Sequence, residues 1–383
     1  MKIIGVICEY NPLHLGHKKQ LDLIRQRFGQ DCGIVCLMSG NFVQRGMPAV
    51  FDKSLRAEAA LYSGADLVLE LPVTYALSSA EGFAEGGVAI LGDFCHGLCF
   101  GAETENGEQL LETAKVLLSD EFRIPLRQEL ESGKSFPAAR QAALEKLGLD
   151  GQVLTSPNNI LAVEYCKAIL ARKSSMKPLP ILREGSYHDE SPDPENPSAT
   201  AVRKLIGENG EWHCYVPAEA AKLFEKAPVH TLRAGETSIL GRLRTMRDDE
   251  FEALPYGSEG LWRKFMAACR REATVEEIQL AVKSKRYTRT RLDRMLMCAF
   301  LGISREMLEQ PAPYARVLAM NERGRGILKQ AKKTGQFLNA GEKTEDSYWL
   351  LEQRCGDLYG LFCETGPEKP GREQKRRMIY VGK

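Results

Sequence analysis

The chain has 383 residues, of which 43% are hydrophobic and 27% are charged, and its formal net charge is +1. These values are ordinary for a globular protein. They exclude a disordered chain and a protein that holds nucleic acid through its overall charge. The length predicts two or three domains. The eleven cysteines are odd in number and several lie in apolar stretches, which indicates reduced, buried thiols in a cytoplasmic protein that has no membrane partner.

Short apolar runs alternate with helical patterns through the first half of the chain. The apolar runs predict strands, and the apolar positions at helical spacing predict helices. The predicted strands cover residues 3–8, 32–38, 65–71, 97–101 and 177–183. The predicted helices cover residues 53–62, 79–91 and 157–170, with others that begin near 16 and 198. This α/β alternation favours a Rossmann-like, doubly wound parallel sheet with helices on both faces.

The sequence also predicts how the chain divides into domains. Residues of about 105–155 have the pattern of amphipathic helices and are predicted to form a helical insertion between sheet elements. Beyond about 225 the chain is richer in Arg and Lys, and no further strand of comparable length is predicted there. We therefore expect a Rossmann-like domain at 1–220 and a mainly helical, basic domain at 221–383.

A first candidate phosphate site follows the first predicted strand. Residues 9–17 read Glu-Tyr-Asn-Pro-Leu-His-Leu-Gly-His and join that strand to the first helix. Ligands of open parallel sheets bind at the carboxyl ends of strands, and a helix N-terminus attracts anions. His14 and His17 flank Gly16, which allows a phosphate to approach, so both imidazoles can donate hydrogen bonds to an α-phosphate. The alternative is a surface loop in which neither histidine has a role.

A second candidate site begins a helix after the last predicted strand. Ser198, Thr200 and Arg203 would combine hydroxyls, free backbone N–H groups and a forked guanidinium. Such groups suit the β- and γ-phosphates, which leave as pyrophosphate in adenylyl transfer. The alternative is simple helix capping by the hydroxyls, with Arg203 solvated.

The two motifs, His-x-Gly-His and Ser-x-Thr-x-x-Arg, together resemble the paired signatures of the nucleotidyltransferase superfamily. Further segments resemble the tRNA(Met) cytidine acetate ligase family, in the same order over essentially the full length. They are residues 39–46, 65–72, 157–161 and 287–291. The resemblance implies a ligase that makes acetyl-adenylate from acetate and ATP. It then implies transfer of the acetyl group to the wobble cytidine of elongator tRNA(Met), which forms acetylcytidine.

The resemblance and the two motifs imply an ATP site. Gly101 would end a strand where a missing side chain lets adenosine approach. Asn158 would read the base or ribose, unless it only caps a helix. Arg183 would bind the nucleotide, unless it pairs with Glu184. The implied site comprises Ile7, Cys8, Glu9, Tyr10, Asn11, Pro12, Leu13, His14, Leu15, Gly16, His17, Lys18, Lys19, Gln20, Gly101, Asn158, Arg183, Ser198, Thr200 and Arg203.

A basic, aromatic-containing segment is the candidate tRNA contact. RNA is held mainly by phosphate contacts and stacking, for which Arg and Tyr are suitable. The alternative is a solvated helix face. The predicted tRNA-binding residues are Lys283, Lys285, Arg286, Tyr287, Arg289 and Arg291. Basic residues further on extend the prediction, namely Arg323, Arg325, Lys329, Lys332 and Lys333.

No covalent nucleophile is evident, because the chain has no Gly-x-Ser-x-Gly segment and no clear Ser-His-Asp set. We therefore expect catalysis by positioning and charge stabilisation, with Mg²⁺ carried by ATP. No metal site is expected, since Cys95, His96 and Cys99 supply only three ligands beside a buried strand. Two other functions remain open: an adenylyltransferase for a small metabolite, and a tRNA-binding protein with a vestigial nucleotide site.

Overall fold

The structure is a computed structural model that describes residues 1–183, 193, 196–284 and 286–382. The strands are β1 Ile3–Cys8, β2 Gly33–Ser39, β3 Phe42–Val43, β4 Met47–Pro48, β5 Leu67–Leu71, β6 Gly97–Ala102, β7 Lys177–Leu182, β8 Ala315–Met320, β9 Phe337–Asn339 and β10 Ile379–Tyr380. The first nine helices are α1 Leu15–Phe28, α2 Lys53–Tyr62, α3 Val73–Ala76, α4 Ala80–Leu91, α5 Gly107–Leu118, α6 Asp120–Glu131, α7 Phe136–Lys146, α8 Pro157–Ala171 and α9 Ala199–Gly207. The later helices are α10 Ala218–Phe224, α11 Glu236–Thr245, α12 Asp248–Glu252, α13 Leu261–Cys269, α14 Val275–Val282, α15 Arg289–Leu301, α16 Arg305–Glu309, α17 Glu322–Ala331, α18 Tyr348–Tyr359 and α19 Arg372–Lys375.

One mainly parallel sheet organises the fold. Its strand order is β10-β8-β5-β2-β1-β6-β7, and β9 pairs with β8. The strands β1, β2, β5, β6 and β7 pair in parallel, whereas β8 runs antiparallel to β5. The carboxyl ends of the five parallel strands therefore meet at one edge. The predicted α/β class with a parallel sheet is confirmed.

The side chains of each strand alternate between the two faces of the sheet, and helices cover both faces. In β1, Ile3 and Ile7 pack on one face with α4, α5 and α8. Ile4 and Val6 pack on the other face with α1, α2, α9 and α10. Helices on the two faces explain why these strands read as continuous apolar runs.

The predicted helices at about 105–155 form as α5, α6 and α7. Leu110, Phe122 and Leu144 join the same core as the sheet face that α4 and α8 cover. These helices therefore add a layer to the first half of the chain.

The C-terminal half has a helical core of its own. Phe251, Phe265 and Phe300 are buried in it, together with residues of α11, α14, α15 and α18. Phe42 and Leu77, from the first half of the chain, also belong to this core. No helix in the described part of the chain has the length and apolar character needed to cross a membrane.

The expectation of no comparable strand beyond residue 225 is wrong. β8 is six residues long and fully buried, and it extends the sheet of the first half. The apolar pattern of so short a run does not distinguish a strand from a buried helix. Arg316 also stands within it, and its buried charge pairs with Glu352, their atoms lying 2.8 Å apart. The domain division between 220 and 221 stays a prediction, although sheet strands lie on both sides of it.

Candidate active site

The turn between β1 and α1 is held rigidly from both sides. Tyr10 is fully buried, and its hydroxyl lies 3.4 Å from the sulfur of Cys36. The side-chain oxygen of Asn11 accepts a 2.8 Å hydrogen bond from the backbone N–H of Val50. Tyr10 adopts a positive φ of 46°, which is uncommon outside glycine and turns the chain sharply after β1. The turn thus presents a fixed backbone at the carboxyl end of the central strand.

His14 and His17 lie against each other at the start of α1. Their rings stack with centroids 3.7 Å apart, and the His14 side chain is almost completely buried. The backbone N–H of His14 donates to Nδ1 of His17 over 3.2 Å. Nδ1 of His17 is therefore an acceptor, and the neutral ring carries its proton on Nε2. Nδ1 of His14 is buried and has no hydrogen-bond partner among the described residues.

Both histidines are neutral at physiological pH. Burial, then the charge of Arg183, lowers the pKa of His17 from 6.5 to about 3. Burial also lowers the pKa of His14 well below 6.5, with further contributions from His17, Arg183 and Arg203. Each neutral imidazole keeps one N–H donor. Such donors can stabilise charge that develops on a phosphate without needing to take up a proton.

Gly16 leaves room for the His14 ring. A Cβ atom at residue 16 would lie 3.1 Å from Cε1 and 3.2 Å from Nδ1 of His14. Both distances are shorter than ordinary van der Waals contact, so a side chain would press on the ring. The glycine of His-x-Gly-His therefore lets the first histidine pack over the helix start.

The second motif lies directly beside the first, although the two are far apart in sequence. Arg203 donates to the backbone oxygen of Asn11 over 2.6 Å and to Oγ1 of Thr200 over 3.1 Å. The alternative that Arg203 is simply solvated is therefore wrong. The capping part of that alternative is correct, since Oγ of Ser198 accepts from the N–H of Ala201. The two helix starts and the guanidinium form one cradle.

A third group lies beyond the ends of β6 and β7. The guanidinium of Arg183 donates to the side-chain oxygen of Asn158 over 3.3 Å, and the amide nitrogen of Asn158 donates to Glu103 over 2.8 Å. Asn158 is not the N-cap of α8, because that position is Ser156. A Cβ added to Gly101 would meet no described atom within 4 Å, so the space above it is open. Glu184, the alternative partner of Arg183, lies outside the described residues.

Several predicted ATP-site side chains do not face this cradle. Leu13 is fully buried, and the thiol of Cys8 is directed towards the backbone oxygen of Leu37 over 3.8 Å. Burial raises the pKa of the Cys8 thiol well above its usual value. Lys18 forms a surface ion pair with Asp22, and their atoms lie 2.7 Å apart. These residues shape the turn, and their direct contact with ATP stays a prediction.

Arg56 is a structural residue that the sequence reasoning missed. It is fully buried and donates to the backbone oxygens of Glu9 over 2.6 Å and Ser39 over 3.1 Å. It thereby ties the end of β1 to the end of β2. A single Arg in α2 gives no sequence signal for this role, because its partners are backbone oxygens from two other segments. Glu103 was also missed, because the one feature of the sequence that points to it is its position just after β6.

The basic segment around the start of α15 is more neutral than its composition indicates. Arg286 pairs with Glu259 over 2.6 Å, and Arg289 pairs with Glu276 at the same distance. Arg291 donates to the backbone oxygen of Tyr256 over 2.7 Å and therefore has a structural role. Lys283 is exposed, and Lys285 lies outside the described residues.

The additional basic residues of α17 do not all extend this surface. Arg323 pairs with Asp66 over 3.2 Å, immediately before β5 begins. That is the amino end of a parallel strand, the opposite edge of the sheet from the phosphate motifs. The position of Arg323 therefore does not favour contact with a nucleic acid bound at those motifs.

His96, one of the three candidate metal ligands of the sequence, has another partner. Nδ1 of His96 accepts a 3.1 Å hydrogen bond from the backbone N–H of Ile3. Within the described ranges, one group has metal-ligand geometry, with ligand atoms of His230, Cys363 and Glu368 within 4.8 Å of one another. Glu368 also pairs with Arg372, whose charge already compensates the carboxylate.

The sheet and the paired phosphate motifs define a nucleotidyltransferase, and a family model described as HIGH Nucleotidyl Transferase matches residues 1–375. Within that class, the chain belongs to the tRNA(Met) cytidine acetate ligase family. It is 39% identical to the ligase of that name from Clostridium novyi (strain NT) over an alignment of 354 positions, and the match covers 87% of this chain and 88% of the relative. It is 35% identical to the one from Acetivibrio thermocellus over an alignment of 419 positions, and that match covers both chains completely.

Solved structures agree with this assignment. A crystal structure of Thermotoga maritima TmcAL, in an apo form, is similar with a TM-score of 0.91 and 30% identity, and the match covers all of both chains. A second structure of that protein, bound with alpha-thio ATP, is similar with a TM-score of 0.88, again over all of both chains. The predicted family resemblance is confirmed.

Proposed function

We propose that this chain activates acetate with ATP and acetylates the wobble cytidine of elongator tRNA(Met). In the first step, a carboxylate oxygen of acetate attacks the α-phosphorus of ATP. The bond to the β,γ-phosphates breaks, and pyrophosphate leaves. In the second step, the exocyclic amine of cytidine attacks the acetyl carbonyl and loses a proton, and AMP leaves. The names of the relatives support both the tRNA and the reaction.

The observation that carries the first step is the cradle of His14, His17 and Arg203. Two neutral imidazoles and one guanidinium are fixed at two adjacent helix starts. The imidazoles would donate to the α-phosphate, while Arg203 and the N-terminus of α9 would hold the departing pyrophosphate. Mg²⁺ would arrive with ATP as part of the substrate. The adenosine half would lie over Gly101, with Asn158 and Arg183 beside it.

The acetyl group would wait as a mixed anhydride with AMP. Cys8 is the thiol nearest in sequence to the phosphate motifs, and it is buried with a raised pKa. A thiol is a nucleophile only as its thiolate, which this environment disfavours. No sequence motif or described cluster near the cradle supplies another acyl acceptor. An enzyme-bound acetyl-adenylate is therefore the intermediate that the chemistry favours.

The tRNA would approach over the C-terminal half, where Lys283 and Arg286 are exposed. Exposed ion pairs such as Arg286 with Glu259 contribute little, about 0–1 kcal/mol, so an RNA phosphate can replace the carboxylate. The cytoplasmic location and the domain division at 220 and 221 belong to the same proposal.

The test is acetate-dependent exchange of labelled pyrophosphate into ATP, measured without tRNA. We expect exchange with acetate and none without a carboxylate. A protein that merely binds tRNA would give no exchange. An adenylyltransferase for a small phosphorylated metabolite would exchange only when that metabolite replaces acetate, and this result would contradict the proposal.

A further inference from the structure

The second step of the proposed reaction needs a proton acceptor that the phosphate cradle does not supply. The exocyclic amine of cytidine must lose a proton as it attacks the acetyl carbonyl. A group positioned to take such a proton contributes about 10²–10⁴-fold to the rate. His14 and His17 are poor bases, since burial lowers the pKa of His17 to about 3 and that of His14 well below 6.5. Both rings are also assigned to the phosphate.

Glu9 is a carboxylate on the nucleotide turn itself, directly after β1. Its backbone oxygen accepts a 2.6 Å hydrogen bond from the guanidinium of Arg56. Its side-chain Oε1 accepts a 2.8 Å hydrogen bond from the backbone N–H of Gln44. The residue is half-buried, and within the described ranges its other oxygen, Oε2, has no hydrogen-bond partner. The carboxylate is therefore held by one oxygen while the second can still accept a proton.

Glu103 is a second carboxylate at this edge of the sheet, and both of its oxygens are engaged. Its Oε1 accepts from the side-chain amide of Asn158 over 2.8 Å. Its Oε2 accepts from the hydroxyl of Ser156 over 2.7 Å and from the backbone N–H of Asn159 over 2.9 Å. Hydrogen bonds of this kind favour the charged carboxylate and oppose its protonation. Of these two carboxylates, Glu9 is the one with an available acceptor.

The side chain of Glu9 lies where the nucleotide turn meets the β3–β4 hairpin. Its partner Gln44 stands between the two strands of that hairpin. A Cβ added to Gly46, at the tip, would overlap the backbone of α15, whose start carries the candidate tRNA contacts. On the cradle side, Arg203 donates to the backbone oxygen of Asn11 in the same turn. Glu9 therefore joins the phosphate cradle to the element that reaches the predicted tRNA surface.

A carboxylate in this place suits the second substrate better than the first. ATP is a polyanion, and a nearby carboxylate repels it, the more so in a site partly shielded from water. Pyrophosphate has left before the second step, and the exocyclic amine of cytosine presents N–H donors. Glu and Asp are the side chains that accept from this amine. Uracil has a carbonyl oxygen at the same position, which a carboxylate would repel.

On the basis of the function proposed above, we propose that Glu9 is the base of acetyl transfer. Its Oε2 accepts a hydrogen bond from the exocyclic amine of cytidine and takes the proton as the nitrogen attacks the acetyl carbonyl. The new C–N bond forms, and the bond between the acetyl carbon and the phosphate oxygen breaks. AMP leaves with that electron pair, and the proton on Glu9 passes to water.

The experiment separates the two steps in the full-length enzyme. The first step is measured as acetate-dependent pyrophosphate exchange without tRNA, and the second as single-turnover transfer of label from enzyme-bound acetyl-adenylate to saturating tRNA. Glu9→Gln keeps an oxygen that can accept from the Gln44 N–H, but its amide cannot take up a proton. We expect this variant to slow transfer about 10²–10⁴-fold and to affect exchange far less.

Two further variants accompany Glu9→Gln. Glu9→Asp should recover part of the transfer rate, because it keeps a carboxylate that is set back by one methylene. Glu112→Gln is the matched control, since Glu112 is an exposed carboxylate on α5, and it should leave both steps unchanged. Thermal unfolding and ATP binding of each variant test whether it is folded.

Other results would overturn the assignment in distinguishable ways. Equal losses in exchange and transfer would place Glu9 in the first step or in the architecture of the turn. Transfer at the unmodified rate by Glu9→Gln would make the phosphate of acetyl-adenylate the proton acceptor. An unmodified enzyme that makes no acetyl-adenylate, or makes it without acetylating tRNA, would overturn the proposed function, and the role of Glu9 with it.

Discussion

Gly16→Ala should separate activity from stability. The added methyl would lie 3.1–3.2 Å from two atoms of the His14 ring. That ring is closely packed, because His14 is 3% exposed and its ring stacks on that of His17 with centroids 3.7 Å apart. We therefore expect the ring to shift by a few tenths of an ångström. Losing one preorganised donor costs about 10²–10³ in kcat, so a displaced donor should cost about 10-fold or more.

The stability of Gly16→Ala should change little. Residue 16 is the second residue of α1, where alanine is favoured over glycine by about 0.5–1 kcal/mol, and this gain offsets the tight contact. The assay is acetate-dependent pyrophosphate exchange, combined with thermal unfolding. The control is Gly241→Ala in α11, whose added Cβ meets no described atom within 4 Å. It should keep full activity. Wild-type exchange by Gly16→Ala would refute the argument that the His14 position matters.

Four further predictions follow from the site. His14→Ala and His17→Ala should each fold and lose about 10²-fold or more in acetyl-adenylate formation, measured by exchange; near-normal rates would contradict their role. Because the folded-state pKa of His17 is about 3, the rate of pyrophosphate exchange should show no protonation step near pH 6.5. The free energy of unfolding should fall as the pH is lowered from 6.5 towards 3, because in that range the unfolded histidine takes up a proton and the folded one does not. A pH profile that breaks at 6.5 would oppose neutral imidazoles. Replacing Lys283 and Arg286 together should weaken tRNA binding and reduce its salt dependence without slowing exchange; an equal loss of exchange would oppose two separate sites. Cys8→Ser should still acetylate tRNA, and acid-quenched enzyme given labelled acetate and ATP should carry the label in acetyl-adenylate. Label attached to the unmodified protein and absent from Cys8→Ser would indicate a thioester instead.

The local parts of this site could be predicted from the sequence. Residues 3–8 form a strand because a continuous apolar run suits a sheet covered on both faces. His14 and His17 lie three apart at a strand-to-helix turn, so their proximity follows from one turn of helix. The same holds for Thr200 and Arg203 at the start of α9.

The parts that depend on distant contacts could not be predicted. Arg316 makes β8 look amphipathic until its partner Glu352 is known. Arg56 binds backbone oxygens that any residue type would supply. The neutralisation of Arg289 depends on Glu276, 13 positions earlier on another helix. In each case the partner is chosen by packing of the folded chain, which leaves no periodic trace in the sequence.

The most direct test of the central claim is a single incubation of the enzyme with ATP, labelled acetate and total tRNA. The tRNA is then digested, the nucleosides are separated, and the modified position is mapped by mass spectrometry. We expect the label in acetylcytidine at the wobble position of elongator tRNA(Met), dependent on ATP and greatly reduced for His17→Ala. Label that stays outside the tRNA while ATP is consumed, or acetylcytidine that forms equally well without ATP, would contradict the account.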